Sequence, residues 1–213
     1  QVTGPIAPSP DLESIESRLI SLYDECSAEL TLLARCGRHL AAVLSGQVDP
    51  VELLFPGGSS AMVEKLYRDS PFSRALNTLA EETILRSIES VPGNRPLKIL
   101  EIGGGTGGTS SQIIPELPAD RMEYFFTDVS EAFLHKAREK FRSFPFVRYG
   151  MLDIEHDPAR QGFATDQFDL ILVANVVHAT RDLQETMTHI HRLLAPNGLV
   201  VLLEAMKPER WLD

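Results

Sequence analysis

A run of glycines, Gly103 to Gly108 interrupted only by Thr106, follows a short apolar segment and opens an amphipathic one. Glycines at such a junction let the backbone turn tightly and approach a ligand with no side chains between them. Gly103, Gly105 and Gly108 fit the G-x-G-x-x-G spacing of dinucleotide-binding loops, which taken alone is a weak signal. We therefore expect a nucleotide-like cofactor to bind against this loop, with Gly103, Gly105 and Gly107 as its cofactor-binding glycines.

Three carboxylates at the ends of successive predicted strands indicate which cofactor the loop takes. Glu101 stands just before the first glycine, where its charge would repel a pyrophosphate and attract an ammonium or a sulfonium. S-adenosylmethionine carries both cations and no phosphate, so it is the expected cofactor. Asp128 can accept hydrogen bonds from both ribose hydroxyls, and Asp153 from the adenine amino group. A nicotinamide-dependent dehydrogenase is disfavoured by Glu101 and because the chain has no Tyr-x-x-x-Lys pair.

His178 and Glu204 are the candidates for acid–base chemistry, since His178 follows the fourth predicted strand and Glu204 ends the fifth. If the fourth and fifth strands are neighbours, the two side chains can hydrogen-bond at the carboxyl edge of the sheet. A carboxylate beside a histidine favours one tautomer of the ring, which suits a general base. Glu204→Gln is expected to cost less than loss of the imidazole, because glutamine keeps the size and one hydrogen bond. Asn175 is expected to face the cofactor or a substrate carbonyl.

The elements that must position these residues alternate between short apolar strands and amphipathic helices from residue 97 onward. This alternation of strands and helices predicts an α/β domain with a parallel sheet covered by helices. Ligands of such a domain lie at the carboxyl ends of the strands. The predicted strands are Lys98–Ile102, Glu123–Thr127, Phe146–Tyr149, Phe168–Ala174 and Leu199–Glu204, and the helices are Gly108–Leu117, Glu131–Ser143 and Leu183–Leu194.

The preceding half of the chain has helical periodicity instead. Apolar residues recur at three- and four-residue steps from Leu12 to Leu44, with a break expected near Gly37. A second helical stretch spans residues 61–90 and ends at Val91-Pro92-Gly93-Asn94. We therefore predict a helical N-terminal region over residues 1–92 and a cofactor-binding core over residues 93–213. Cys26 and Cys36 fall on the apolar stripe, where they are expected to be core residues.

The amino-acid composition disfavours some classes of binding partner. A formal net charge of -10 with no run of Lys and Arg disfavours nucleic acid and anionic membranes, which are bound mainly through basic side chains. The two cysteines have neither metal-site spacing nor the density of a disulfide scaffold, so we expect no metal and a reducing, cytoplasmic location. Gln1 to Pro10 has no signal-peptide pattern and no initiator Met, so it looks like the start of a segment cut from a longer chain.

The glycine loop and the acids that follow it make residues 97–204 resemble class I S-adenosylmethionine-dependent methyltransferases. Further segments resemble the methyltransferase domains of modular polyketide synthases, so that the resemblance covers nearly the whole chain from the helical region onward. These segments are Val48–Gly58, Lys65–Pro71, Phe126–Ser130, Asn175–Thr180 and Leu203–Ala205. The resemblance implies a Rossmann-like core preceded by an α-helical lid. The family's sheet continues beyond the fifth strand, and those last elements are absent from this chain.

The resemblance also implies a reaction. Carbon-methylating members use a His and a Glu as a dyad, which matches His178 and Glu204, and a Tyr from the helical lid, for which Tyr67 is the candidate. The implied substrate is a β-ketoacyl chain on an acyl carrier protein, methylated at its α-carbon with S-adenosylhomocysteine as the product, within a polypeptide that includes neighbouring synthase domains. Two alternatives remain open: O-methylation of an enol or hydroxyl of the carrier-bound chain, and a non-catalytic methyltransferase-like scaffold.

Overall fold

The computed structural model describes residues 11–91 and 95–204. Contacts between residues divide the chain into two compact units, residues 1–71 and residues 72–213. The predicted loop at residues 92–94, the segment Gln1–Pro10 and everything from Ala205 onward lie outside the described residues.

The first unit is helical, as its periodicity predicts. Its helices are α1 (Leu12–Leu22), α2 (Ser27–Leu44), α3 (Pro50–Leu54) and α4 (Ala61–Asp69). Asp11 begins α1 by accepting hydrogen bonds from the amides of Glu13 and Ser14, which is the usual role of an N-cap aspartate.

The predicted helix break at Gly37 is wrong. Helix α2 runs through Gly37, and the chain breaks earlier, at Tyr23 and the short 3₁₀ turn Asp24–Cys26. A glycine inside a helix costs only about 1 kcal/mol relative to alanine, which a long helix with neighbours tolerates. The apolar stripe of α1 and α2 is also less buried than expected: Leu12, Leu22 and Leu40 are exposed.

The two cysteine side chains are also less buried than expected. Cys26 and Cys36 are free and partly exposed, so the expectation that they are core residues is wrong. A stripe that repeats at helical steps shows which face of a helix is apolar, but not whether another element covers that face.

Helix α5 (Pro71–Glu89) belongs to the second unit in all but its first residue. Ala80, Ile84 and Ile88 of this helix are buried in the same apolar cluster as strand residues of the sheet. The contacts therefore group α5 with the sheet, whereas the division into a lid over residues 1–92 and a core from residue 93 is a functional hypothesis that stays a prediction.

Five parallel strands form one sheet in the order β3-β2-β1-β4-β5, which confirms the predicted Rossmann-like architecture. The chain fills the sheet in one direction from β1 to β3 and then in the other, so the switch in strand order lies between β1 and β4. Helices α6 and α7 follow β1 and β2, and α8 precedes β5. The strands are β1 (Leu97–Ile102), β2 (Met122–Asp128), β3 (Val147–Met151), β4 (Phe168–Ala174) and β5 (Leu194–Leu203), and the helices are α6 (Gly108–Ile113), α7 (Glu131–Lys140) and α8 (Leu183–Leu193).

Strand β5 starts earlier than its apolar pattern predicts. Its pairing with β4 jumps from Phe168↔Leu194 to Leu170↔Leu199, so the polar turn around Asn197, which has a φ of 64°, is carried as an irregularity in the strand. Beyond it the register is regular and ends with Ala174 opposite Leu203. Because adjacent strands lie about 5 Å apart, the residues that follow these two positions are brought close together.

Within residues 11–91 and 95–204, no helix combines the length and apolar character needed to cross a membrane.

Candidate active site

The glycine loop joins β1 to α6 at the switch point of the sheet. Gly103, Gly105 and Gly107 have φ values of 66°, 53° and 72°, in the left-handed region that strains residues with a β-carbon. A β-carbon at Gly103 would also overlap the side chain of Val176. The loop therefore needs glycine for both its turns and its close packing.

Asp128 fastens this loop to the end of β2. One carboxylate oxygen accepts a hydrogen bond from the amide of Gly105 at 2.8 Å, and the other accepts from the amide of Ser130 at 2.8 Å. Each carboxylate oxygen has a second lone pair, so Asp128 keeps the capacity to accept from a diol. The bond to Gly105 could not be predicted from the sequence, because it depends on how the loop crosses the end of β2.

Asp153 follows β3 at the same edge of the sheet. Its Oδ1 accepts from the amide of Glu155 at 3.0 Å, and its Oδ2 lies 2.9 Å from Nδ1 of His156. Gln161 holds the same turn by accepting from the amide of Asp153 at 2.8 Å. The contact of Asp153 with adenine stays a prediction.

Glu101 takes a position that the sequence did not predict. Its side chain is only 3% exposed, and its Oε2 accepts from Ser110 Oγ at 2.6 Å and from the Tyr124 hydroxyl at 3.0 Å. Burial raises the pKa of this carboxyl to about 7, as expected when a charged group loses its water. The carboxyl is therefore engaged beneath the loop, and its direct contact with a cationic cofactor stays a prediction.

His178 and Glu204 lie in direct contact across the ends of β4 and β5. The distance from His178 Nδ1 to Glu204 Oε2 is 2.6 Å, and the side chains are 59% and 8% exposed, respectively. The imidazole stands on the short 3₁₀ turn Val177–Ala179. The structure thus brings the two predicted residues together, with the histidine ring open to solvent and the carboxylate buried.

Glu204 also holds the backbone that carries His178. Its Oε1 accepts from the amides of Val176 and Val177 at 2.6 and 2.7 Å. With one oxygen engaged by two donors and the other facing His178, hydrogen-bond logic assigns the proton to Nδ1 of the ring. Nε2 is then left with a lone pair on the exposed side, which is the arrangement a general base requires.

Asn175 occupies the first position after β4, with a φ of 55°. Its amide donates to the carbonyl of Leu203 at 2.8 Å, which continues the pairing of β4 with β5 for one residue. Asparagine tolerates the left-handed region better than most residues, so the backbone can turn there into the segment that bears His178. The predicted contact of its side chain with the cofactor stays a prediction.

The dyad and the glycine loop belong to one site, because Val176 packs against Gly103. Tyr67 lies on α4 in the other compact unit and is exposed. Its role in the reaction stays a prediction.

Comparison with known proteins agrees with this geometry. A family model described as "Methyltransferase domain" matches residues 100–200. The chain is 36% identical over 203 residues to the non-reducing polyketide synthase adrD of Penicillium roqueforti, covering 93% of this chain and 8% of that protein. Among solved structures, the CurJ carbon methyltransferase is 44% identical with a TM-score of 0.91, covering 97% of this chain and 55% of that one.

This chain belongs to the methyltransferase domains of polyketide synthases. It spans about a twelfth of the curated relative and about half of the solved carbon methyltransferase. The trans-methyltransferase CalH, solved in complex with S-adenosylhomocysteine, is 29% identical with a TM-score of 0.74 and covers 95% of this chain and 55% of that one. The methyltransferase domain is dependent on S-adenosylmethionine, as the glycine loop and its acids predicted.

The residues of the methyltransferase domain fit this cofactor. Gly103, Gly105 and Gly107 hold positive φ values that strain residues with a β-carbon, and β-carbons at Gly103 and Gly104 would overlap Val176 and Phe126. The carboxylate of Asp128, hydrogen-bonded to the loop, keeps lone pairs that a ribose diol can use. A nicotinamide cofactor also has a ribose diol, so it is the match to methyltransferases and not the glycine loop that excludes the dehydrogenase alternative. The expected repulsion between Glu101 and a pyrophosphate is not the reason that the structure supplies. The carboxyl of Glu101 is instead hydrogen-bonded to Ser110 and Tyr124 beneath the loop.

Proposed function

We propose that this domain methylates the α-carbon of a β-ketoacyl chain carried on an acyl carrier protein. The observation that carries the proposal is the His178–Glu204 pair, 2.6 Å apart, on a strand end that packs against the cofactor loop. Carbon as the acceptor is supported by the likeness to the CurJ carbon methyltransferase, with which the chain shares 44% identity over 97% of its length.

His178 acts as the general base in this proposal. Its Nε2 takes the proton from the α-carbon, which the neighbouring carbonyl and thioester acidify, and leaves an enolate. The carboxylate of Glu204 keeps the other nitrogen protonated and stabilises the imidazolium that forms. A positioned base typically contributes about 100- to 10,000-fold in rate.

The cofactor would be held by the glycine loop together with Asp128, Asp153 and Asn175. When bound, S-adenosylmethionine supplies an electrophilic methyl group carried on a sulfonium. The role of the protein is to hold the acyl chain and the methyl group in line, and such alignment can supply several kcal/mol of the barrier.

O-methylation would use the same pair to deprotonate an enol or hydroxyl oxygen, so the dyad alone does not separate the two reactions. A non-catalytic scaffold is disfavoured by the geometry, because a buried carboxylate that orients an exposed imidazole has no evident structural need for the ring. Tyr67 is kept in the proposal as a lid residue that enters the active site.

The proposed partners follow from the context of the relatives. The chain matches 8% of a polyketide synthase, so neighbouring domains would tether both the carrier and the methyltransferase. Tethering raises the effective concentration of the acyl chain and permits a weak docking interface. Two free thiols are compatible with the reducing cytoplasm, where we place the reaction.

The test uses the full-length protein with S-adenosylmethionine and a β-ketoacyl chain on its carrier protein. We expect the new methyl group at the α-carbon by fragmentation and NMR, and we expect His178→Ala to lose turnover while cofactor affinity by calorimetry stays within about threefold. A new methyl group on oxygen would contradict carbon methylation and support the O-methyltransferase alternative. Near-normal turnover by His178→Ala would remove the proposed base.

A further inference from the structure

Glu101 is a buried ionisable group for which the dyad mechanism has no use. It follows Leu100 in β1, and strand alternation places its side chain on the face of the sheet that includes Leu97 and Ile99, within the apolar cluster. Burying a carboxyl group in such surroundings is costly unless it is hydrogen-bonded. The burial of a residue that is 3% exposed and lies two positions before the first glycine of the loop therefore needs an explanation.

The contacts of Glu101 join three elements at the base of the loop. Its Oε2 accepts from Ser110 in the first turn of α6, at 2.6 Å, and from Tyr124 in β2, at 3.0 Å. Its backbone carbonyl accepts from Thr127 Oγ1 at 2.6 Å, and the carbonyl of Thr127 accepts in turn from the amide of Gly104 at 2.9 Å. The carboxyl thus fixes where α6 begins, while the backbone fixes where the loop begins.

We infer that Glu101 is a positioning residue for the cofactor loop, acting through Ser110 and Tyr124 and not by touching the cofactor. The loop presents backbone groups, whose directions depend on both of its ends. The β1 end is held by strand pairing, whereas the α6 end rests on a helix of only six residues. A hydrogen-bonded carboxyl beneath the first turn of that helix supplies the missing restraint.

This inference rests on the identity of the cofactor and not on the proposed carbon methylation. It differs from the charge-attraction hypothesis in one measurable respect. Glutamine has an amide oxygen with two lone pairs, so Glu101→Gln can still accept from both Ser110 and Tyr124 although it has lost the charge. Positioning therefore survives Glu101→Gln, and direct attraction of a cation does not.

The experiment measures S-adenosylmethionine affinity by calorimetry at pH 8 in the full-length protein, together with amide hydrogen exchange of residues 103–113 without cofactor. We expect Tyr124→Phe and Ser110→Ala each to raise Kd roughly 5- to 20-fold, as for loss of a bond to a buried carboxyl, and to speed exchange in the loop. Glu101→Gln should stay within about threefold of the parent in Kd, and the double variant Ser110→Ala/Tyr124→Phe should be less than additive.

Matched controls are Tyr149→Phe, which loses a hydroxyl bond to the backbone of α7, and Ser87→Ala, which loses a bond to the backbone of α5. Both should bind as the parent does. Tyr124→Phe should keep the parental kcat at saturating cofactor and substrate, while its KM for S-adenosylmethionine rises. Glu101→Gln should keep the parental kcat and KM, which Glu101→Ala should lose.

Three outcomes would overturn the inference. Glu101→Gln binding at least tenfold more weakly while Tyr124→Phe binds normally would indicate direct attraction of the cofactor. Parental affinity in all the variants would leave the carboxyl without a role in binding. Equal losses in the variants and in the two controls would indicate general destabilisation.

Discussion

Glu204 holds the backbone of the turn that bears His178 as well as the ring of His178. One of its oxygens receives two backbone amides and the other receives the ring of His178. The carboxylate therefore sets the position of the turn, the orientation of the ring and the tautomer. Substitutions of Glu204 can therefore distinguish the effect of its charge from the effect of the direction of its hydrogen bonds.

Glu204→Gln should be nearly as damaging as His178→Ala. The amide oxygen of glutamine would accept from Val176 and Val177, which leaves the amide nitrogen to donate to Nδ1 of the ring. Nε2 would then carry the proton and could not act as a base. We expect kcat to fall by roughly 1,000- to 10,000-fold, the size seen for a wrong tautomer in serine proteases, with cofactor Kd within about threefold.

Single-turnover methyl transfer and calorimetry check this expectation, with Glu139→Gln on the exposed face of α7 as the control. The double variant His178→Ala/Glu204→Gln should be little worse than either single variant, since both act on one proton transfer. Substantial activity in Glu204→Gln would show that the ring does not need the tautomer assigned to it. The sequence alone predicted a smaller cost than loss of the imidazole, because it does not show the two backbone amides that donate to Glu204.

Asp128→Asn tests the other carboxylate at the residue scale. Both oxygens of Asp128 accept from backbone amides, so an asparagine must turn its NH₂ group toward one of these donors. We expect a loss of roughly 1–3 kcal/mol in S-adenosylmethionine binding, measured by calorimetry. Unchanged affinity would remove Asp128 from the cofactor site, and Asp120→Asn in the loop before β2 serves as the control.

At the scale of elements, the site depends on the contact between the loops that follow β1 and β4. A β-carbon at Gly103 would overlap Val176 and would also sit at a positive φ. Gly103→Ala should therefore disturb the cofactor loop and the dyad together, lowering both affinity and turnover by at least tenfold.

Adding Val176→Ala should recover part of both losses, because it removes the overlap. The remaining deficit should be about 1 kcal/mol, the cost of alanine in the left-handed region. Calorimetry and single-turnover rates of the two single variants and the double variant measure the coupling. Strict additivity would mean that the two loops do not meet as described.

Most strands and helices of the core were predictable from their apolar periods, whereas helix α6 ends at Ile113, four residues before the predicted end at Leu117. The strand Phe168–Ala174 was predicted with its observed bounds, and the neighbouring strand ends of β4 and β5 were inferred correctly. The break at Tyr23 was missed, since a capping geometry decided it and no glycine or proline marks it. The burial of Glu101 was missed because its partners, Ser110 and Tyr124, come from other elements, and their meeting depends on packing and strand register.

At the scale of the whole molecule, Glu101 links the protonation of the site to the stability of the fold. Burial raises its pKa from 4.5 to about 7, with hydrogen bonds from Ser110 and Tyr124 opposing the shift and the charge of Asp128 adding to it. Between these two pH values the folded state holds a proton that the unfolded chain has lost. The free energy of unfolding should therefore fall as the pH rises from about 4.5 to 7, by at most about 3 kcal/mol.

Hydrogen exchange of the β1 amides at pH 5, 6, 7 and 8, corrected for intrinsic exchange rates, measures this dependence. The matched variant is Glu101→Gln, which cannot titrate and should give a flatter profile over the same interval. Parallel profiles for the parent and Glu101→Gln would show that the carboxyl does not titrate in this range. Other groups contribute to both profiles alike and cancel in the comparison.

The placement of the dyad has a consequence for how such domains can be recombined. His178 and Glu204 follow β4 and β5, which are joined by α8, whereas the cofactor loop follows β1 and Asp128 ends β2. Residues 168–204 therefore include both residues proposed for the acid–base step and, of the residues proposed to hold the cofactor, only Asn175. A chimera that exchanges these residues between related enzymes should keep its affinity for the methyl donor while its turnover follows the inserted dyad, provided that the residue facing Gly103 stays as small as Val176.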